Sequence, residues 1–554
     1  MEEAPPAQRP TPLGALHDAV SILDEIGLAD ALVKVAVRTA VRTAPRRALG
    51  LAFEMARIAA GRSPVVADAK DWRFTNRTWT ENPLHHRLGQ AYLATCRTAD
   101  QLVSDAGLDW RTEERARFAV TLLTSTLAPT NHFLLNPDAL ERAFETGGKS
   151  MVRSLTNLSR DVLKNRGAPR TVNRSAFRVG TNVAVTPGAV VYRSEVFELL
   201  QYSPTTPTVH ARPVVLVPPQ INKYYFMDMA PGRSFVEYAV NQGFQMFVVS
   251  WRNPGPEHAE WNLDTYVSAV GDAFRVAAEI TDRDDVSTIA LCAGGITTAA
   301  LLGHLAATQD RLVHSAAFAV TLLDFDEPTL IGMLGTQRVI DKSVRSSRRS
   351  GVLDAHKLSM LFALLRPNDL VWNYWVRNNL LGEEPPDFDV LAWNADATRL
   401  AAGLHADFLD IFLNNSFAAG TVNVLGTPVD LSKVECDNFV VGARTDHLTG
   451  WKACYSTTQL LGGASQFVLS SSGHIQSLVN PPGNPKMTVT TGPEPGADRD
   501  EWLAAADTAA GSWWERWAEW QAARGGGRRP APATLGSPRN PPGDPAPGPY
   551  VVAG

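Results

Sequence analysis

The run Ile289-Ala290-Leu291-Cys292-Ala293-Gly294-Gly295 constrains this chain more than any other. An apolar, strand-like stretch enters it, and a helical stretch over 296–305 leaves it. A side chain carried on so sharp a strand-to-helix turn needs small residues two before and two after it. Ala290 and Gly294 hold those positions; glycine is commoner at the first, so Ala290 departs from the usual pattern. The turn presents Cys292 at a helix N-terminus, where the dipole favours an anionic sulfur. The backbone N–H of Ala293 then becomes a donor for an oxyanion. A small buried structural cysteine is the competing reading of the same residues.

Partners for Cys292 follow in an ordered series. The run Asn438-Phe439-Val440-Val441-Gly442-Ala443-Arg444-Thr445-Asp446-His447 reads as a strand followed by a loop bearing an acid. The run Gln466-Phe467-Val468-Leu469-Ser470-Ser471-Ser472-Gly473-His474 reads as a strand followed by a loop bearing an imidazole. Nucleophile, acid and base in that chain order define the α/β-hydrolase arrangement. His447 is a rival base, but it adjoins Asp446 in sequence, where the two side chains diverge. His474 is therefore preferred. Further strand-like runs at 189–192, 213–217, 247–251 and 288–291 alternate with helical stretches such as 265–281, so a parallel sheet covered on both faces is expected.

This series is interrupted between about 322 and 430 by a block carrying Trp372, Tyr374, Trp375 and Trp393, read as a cap inserted over the site. Residues 71–185 read as mostly helical; Asn82-Pro83 starts one segment, and Asn131, Asn136 and Pro137 punctuate the next ones. Residues 1–70 form a leader, helical over 32–60. Its Lys34, Arg38, Arg42, Arg46, Arg47 and Arg57 suit a solvated face better than a membrane-like surface. The catalytic domain is expected over 186–525, followed by an irregular Pro- and Gly-rich tail over 526–554. Trp513, Trp517 and Trp520 recur at helical spacing and read as a docking stripe rather than a polymer-binding surface.

Composition excludes several classes. The 554 residues carry a net charge of −5, which offers nucleic acid no bulk attraction. No stretch approaches the roughly 18 apolar residues of a membrane span. The start, MEEAPPAQRP, does not read as a secretory signal. Four scattered cysteines suit a reducing cytoplasm and not a disulfide framework. Without a CxxC pair or HExxH, neither a metal nor another cofactor is expected. Gly147-Gly148-Lys149-Ser150 imitates the end of a phosphate loop, but position 143 is Ala and the preceding stretch is helical.

Longer motifs carry a family resemblance. Pro218-Pro219-Gln220-Ile221-Asn222-Lys223-Tyr224-Tyr225, Ser250-Trp251-Arg252-Asn253-Pro254, Arg366-Pro367-Asn368-Asp369-Leu370-Val371-Trp372-Asn373-Tyr374-Trp375 and Ser472-Gly473-His474-Ile475 resemble signatures of the polyhydroxyalkanoate synthases. Ala128-Pro129-Thr130-Asn131 and Glu145-Thr146-Gly147-Gly148-Lys149 do so in the helical part, and the resemblance spans roughly 71–550. It is closest to the single-subunit, medium-chain-length class. It implies an acyltransferase that polymerises 3-hydroxyacyl-CoA into polyester and releases CoA. Cys292 would be the acylated nucleophile, Asp446 the acid and His474 the base. The family box has glycine where this chain has Ala290. Ile221, in the loop after 213–217, is the expected second oxyanion donor, and Trp372 a candidate for lining the acyl path. A homodimer, cytoplasmic and associated with polyester inclusions, is likewise implied. The rival activity is hydrolysis, by a polyester depolymerase or acyl-CoA thioesterase; the rival from another class is a catalytically silent granule-surface protein.

Overall fold

The computed structural model describes residues 23–553 except 25, 330, 331 and 335. The opening MEEAPPAQRP lies outside the described residues. The chain divides into two units, Met1–Arg174 with His356–Phe388, and Ser175–Ala355 with Asp389–Gly554.

The first unit is helical. Asn82 starts helix Pro83–Asp105 as expected, and Asn136 starts Pro137–Glu145: the Asn82 side chain accepts from Leu84 N and His85 N, that of Asn136 from Ala139 N, and proline follows each at the first helical position. The stretch read as one helix over 32–60 is two, Leu28–Thr39 and Thr43–Ala59. Its cations largely face solvent, and Arg47 forks onto Asp105 at 2.7 and 3.0 Å. The imitation phosphate loop is a turn between helices Pro137–Glu145 and Lys149–Lys164, in which Gly147 and Gly148 take positive φ. Helix Lys149–Lys164 buries Ser150, Ser154, Asn157 and Asp161. Asp161 receives Arg170 Nε at 3.0 Å and Asn379 Nδ2 at 3.2 Å, while Asn157 Nδ2 donates to the carbonyls of Asn378 and Glu383. This polar seam explains why part of the aromatic insertion, His356–Phe388, groups with the N-terminal helices. Trp372 lies in this unit, half-buried, at the end of the π-turn Asn368–Trp372 and edge-on to Trp375.

The second unit is built on one ten-stranded sheet. Its strands are β1 (Gly188–Arg193), β2 (Phe197–Tyr202), β3 (Val214–Val217), β4 (Met246–Trp251), β5 (Val286–Leu291), β6 (Val313–Ala319), β7 (Asp437–Ala443), β8 (Ser465–Ser470), β9 (Thr488–Thr491) and β10 (Asp507–Ala510). The spatial order is β1-β2-β4-β3-β5-β6-β7-β8-β9-β10. Strands β4, β3, β5, β6, β7 and β8 run parallel. The outer strands at both ends are antiparallel, which a purely parallel expectation missed. β5 is buried throughout and flanked by β3 and β6, so its carboxyl end is held from both sides. Helices Leu263–Ile280 and Ala293–Thr308 belong to one core cluster; the four tryptophans of helix Trp513–Ala522 belong to another. Those tryptophans are buried against Phe235, Phe244 and Phe439, as an internal docking stripe. The tail is less irregular than its composition suggests. Arg528–Pro530 pairs with Thr208–His210, and Asp544 O accepts from Val190 N.

Candidate active site

Cys292, Asp446 and His474 all stand at the carboxyl ends of parallel strands, after β5, β7 and β8. Open α/β sheets gather their ligands and chemistry at that end.

Cys292 sits at φ 49°, ψ −120°, immediately before helix Ala293–Thr308. A β-substituted residue adopts that conformation only when its surroundings enforce it. Cys292 N donates to Ala319 O at 3.0 Å, and its carbonyl accepts from Gly295 N at 2.9 Å. The glycines are steric requirements. A Cβ on Gly294 would lie 2.5 Å from Val217 O and 2.6 Å from Pro218 O; one on Gly295 would lie 2.1 Å from Thr321 Oγ1. At the earlier small position the methyl of Ala290 is fully buried in the core, paired across to Val217 and Phe318. The elbow therefore accommodates Ala290. Cys292 is half-buried, whereas Cys454 is wholly buried and donates to Thr449 O at 3.4 Å. The inert structural cysteine of this region is Cys454.

His474 Nδ1 donates to Asp446 Oδ2 at 2.6 Å, and Cys292 is near enough to the imidazole to help raise its pKa. A thiol, an imidazole and a carboxylate are the groups that nucleophile–base–acid chemistry uses. Asp446 is not left with one partner. Its Oδ1 accepts from Leu448 N at 2.8 Å and Thr449 N at 2.9 Å, and its Oδ2 also accepts from Thr449 Oγ1 at 2.7 Å. Burial opposes the charge on Asp446, but the His474 charge and these donors outweigh it and hold the carboxyl below its usual range. Burial also opposes a charged His474; Asp446 first, then Cys292, outweigh it and raise the imidazole above its ordinary value. His474 begins helix His474–Leu478. That short helix is anchored from the tryptophan helix, since Trp513 Nε1 donates to Ser477 O at 2.7 Å and Trp514 Nε1 to Leu478 O at 3.0 Å.

Ala293 is the first residue of the helix, so its N–H has no intrahelical acceptor. Ile221 lies in the turn that follows β3 and packs against the core. That turn is fixed from several sides. Trp251 Nε1 donates to Pro218 O at 2.9 Å, Thr398 Oγ1 to Gln220 O at 3.3 Å, and Trp393 Nε1 to Lys223 O at 2.7 Å. Lys223 pairs with Asp396 at 2.9 Å. Sequence alone does not single out Thr449, although a hydroxyl three residues after an Asx-turn aspartate is a recognisable local pattern. The contacts of Trp513 and Trp514 with the helix that begins at His474 emerge only from the packing.

This fold and this elbow define a protein of the α/β-hydrolase fold with a half-buried cysteine at its strand-to-helix turn. Comparison with known proteins narrows the class. A family described as the N-terminus of poly-beta-hydroxybutyrate polymerase (PhaC) matches residues 70–239, and the alpha/beta hydrolase fold matches residues 213–481. Poly(3-hydroxyalkanoate) polymerase 2 of Ectopseudomonas oleovorans is 45% identical over 506 residues, covering 91% of this chain and 90% of that protein. Poly(3-hydroxyalkanoate) polymerase 1 of the same organism is 42% identical, covering 90% and 89%. The poly(3-hydroxyalkanoate) polymerase subunit PhaC of Cupriavidus necator is 37% identical, covering 90% and 85%. The chain belongs to the poly(3-hydroxyalkanoate) polymerase family, and it is an acyltransferase.

Proposed function

We propose that this chain polymerises 3-hydroxyacyl-CoA into polyester through a thioester on Cys292, with release of CoA. The observation that carries the reading is the placement of Cys292, His474 and Asp446 after three parallel strands of one sheet, with His474 Nδ1 bonded to Asp446 Oδ2 at 2.6 Å. His474 takes the thiol proton, and the Cys292 sulfur attacks the substrate carbonyl. The carbon–sulfur bond to CoA breaks, and the proton on His474 passes to the departing thiolate. One thioester replaces another, so the acyl group stays activated. The hydroxyl of a further 3-hydroxyacyl-CoA then gives its proton to His474 and attacks the acyl-enzyme; the bond from the acyl carbon to Cys292 sulfur breaks, the proton on His474 passes to that sulfur, and the lengthened chain, carried as its CoA thioester, reloads Cys292 with release of CoA. The N–H groups of Ala293 and Ile221 would hold the oxyanion in both steps. No cofactor is needed, because CoA is part of the substrate. Medium-length acyl chains, a homodimer, and a cytoplasmic location on polyester inclusions belong to the same reading.

The test is direct. Cys292→Ala should abolish both CoA release and insoluble polymer from 3-hydroxyacyl-CoA. His474→Gln should lower turnover by about 10³-fold or more, and His447→Gln by much less. Polymer formation persisting in Cys292→Ala would overturn the assignment, and soluble 3-hydroxy acid as the sole product of the wild type would favour a hydrolase.

A further inference from the structure

The turn after β3 carries Ile221 and the helix after β5 carries Ala293, so the two N–H groups that would hold the oxyanion come from different elements. Their separation has to be fixed, because such a donor acts only within hydrogen-bond reach of the developing charge. Packing supplies part of this. A Cβ on Gly294 would meet Val217 O and Pro218 O, so the turn already rests on the helix. Contact of that kind sets a closest approach but leaves the two surfaces free to slide. A hydrogen bond is directional and removes that freedom.

Such a bond is present. Gln220 Nε2 donates to Thr297 Oγ1 at 2.9 Å. Gln220 adjoins Ile221 in the turn. Thr297 stands about one helical turn beyond Ala293, and its hydroxyl lies 3.4 Å from Ala293 O. Gln220 is 3% exposed and Thr297 0%, so water does not compete for the bond. The backbone of Gln220 is held from the other side, where its carbonyl accepts from Thr398 Oγ1 at 3.3 Å. The amide is not fully satisfied: Gln220 Oε1 is buried and accepts no hydrogen bond among the described residues. A buried acceptor without a donor opposes folding. An apolar side chain of similar volume would fill the space without that cost. What the amide adds is its bond to Thr297.

We infer that Gln220 and Thr297 are positioning residues, which hold the N–H of Ile221 in register with that of Ala293 so that both meet the oxyanion of one adduct on Cys292. The inference rests on the proposed acylation of Cys292. Neither side chain needs to touch the substrate. Without the bond the turn can drift, which weakens a contact made only once the carbonyl carbon is tetrahedral. The loss therefore falls on kcat and not on KM.

The test compares a trifluoromethyl ketone analogue of the acyl-CoA with an S-alkyl-CoA thioether, which has no carbonyl. The Cys292 sulfur adds to the ketone carbon, the thiol proton passes to His474, and the carbonyl electron pair moves to oxygen, which becomes the oxyanion. The wild type should bind the ketone more tightly. Gln220→Leu and Thr297→Val should each reduce that preference, and kcat, about tenfold, as expected for one hydrogen bond. Thioether affinity and KM should change little, which also reports an intact fold. The double variant should lose scarcely more than either single one, since both break the same bond, and Thr297→Ser should keep most of the preference. Equal losses for ketone and thioether would show that the pair only maintains the fold, and would overturn the inference. So would additive losses in the double variant. Should Gln220→Leu fail to fold, Thr297→Val and Thr297→Ser decide the matter, and an equal preference in those two overturns the inference. A wild type without any preference for the ketone overturns the proposed acylation and this inference with it. A wild-type preference that the variants leave unaltered overturns the inference alone.

Discussion

Asp446 Oδ2 accepts two hydrogen bonds at once, from His474 Nδ1 at 2.6 Å and from Thr449 Oγ1 at 2.7 Å. The Thr449 hydroxyl also lies 3.1 Å from His474 Nδ1, so it closes a triangle that fixes both members of the pair. Thr449→Val removes one charge-assisted bond from a buried carboxylate, a loss of about 1.5–3 kcal/mol. Turnover should fall by about 10- to 100-fold with little change in KM, and Thr449→Ser should recover most of it. Asp446 is then held less firmly as the anion, so the acid limb of the kcat/KM profile should move to higher pH. Equal losses in the valine and serine variants, or an unmoved acid limb, would show that Thr449 only fills space. The placement of Cys292, Asp446 and His474 after strands was legible in the sequence because each follows an apolar run of strand length. Thr449 was not, because an isolated threonine in a polar loop resembles any other turn residue until the fold brings Asp446 and His474 together.

The strand-to-helix elbow explains both the small residues around Cys292 and the one irregularity among them. Gly294 has no room because the opposing atoms are the backbone of Val217 and Pro218, held in the sheet and in the turn after it. Gly294→Ala should therefore abolish turnover or soluble expression. Ala290→Gly should leave the site assembled but cost about 0.5–1 kcal/mol, from the added freedom of glycine in a strand and the loss of a buried methyl. Urea unfolding and CoA-release assays on the two variants would check this; a tolerated Gly294→Ala would contradict it. Other elements were legible to differing degrees. The central strands are short apolar runs between turn signals. β2 was hidden by Glu198 and Gln201, polar residues in a wholly buried strand. They are accommodated because Arg193 Nε reaches Glu198 at 2.7 Å and Gly536 N donates to Gln201 Oε1 at 2.6 Å. β10 is exposed along its length and carries no apolar pattern to read. The helix Lys149–Lys164 puts its polar side inward, which inverts the usual amphipathic rule and obscures where the insertion divides.

Across the molecule, histidines set opposing demands on pH: burial first lowers His210, His314 and His405, whereas His474 is raised. Burial lowers His405 to about 4, and burial first, with the Arg528 charge, lowers His210 to about 4 as well. The unfolded chain binds protons at these sites from about pH 6.5 downward while the folded chain does not, so their effect is to reduce stability between about pH 6.5 and 4. His474 has the opposite sign: its raised folded value contributes stability that is present below about pH 6.5 and lost as pH rises through the folded value. Unfolding midpoints should therefore decline on both sides of about pH 6.5. His405→Gln should flatten the acid side, and an unchanged acid side in that variant would contradict the linkage. Among the described residues no helix is long and apolar enough to cross a membrane. The division into two units and the polymerase family both fit a chain whose hydrolase-type unit has been turned to acyl transfer. That conclusion depends on where the acyl group resides between the two steps. The most direct measurement is to quench the protein during turnover of 3-hydroxyacyl-CoA, digest it and determine the mass of the peptide containing Cys292. One or more 3-hydroxyacyl units on that peptide, removable by hydroxylamine, are predicted. Polymer formation with an unmodified Cys292 peptide, or with the acyl chain on another residue, would contradict the account.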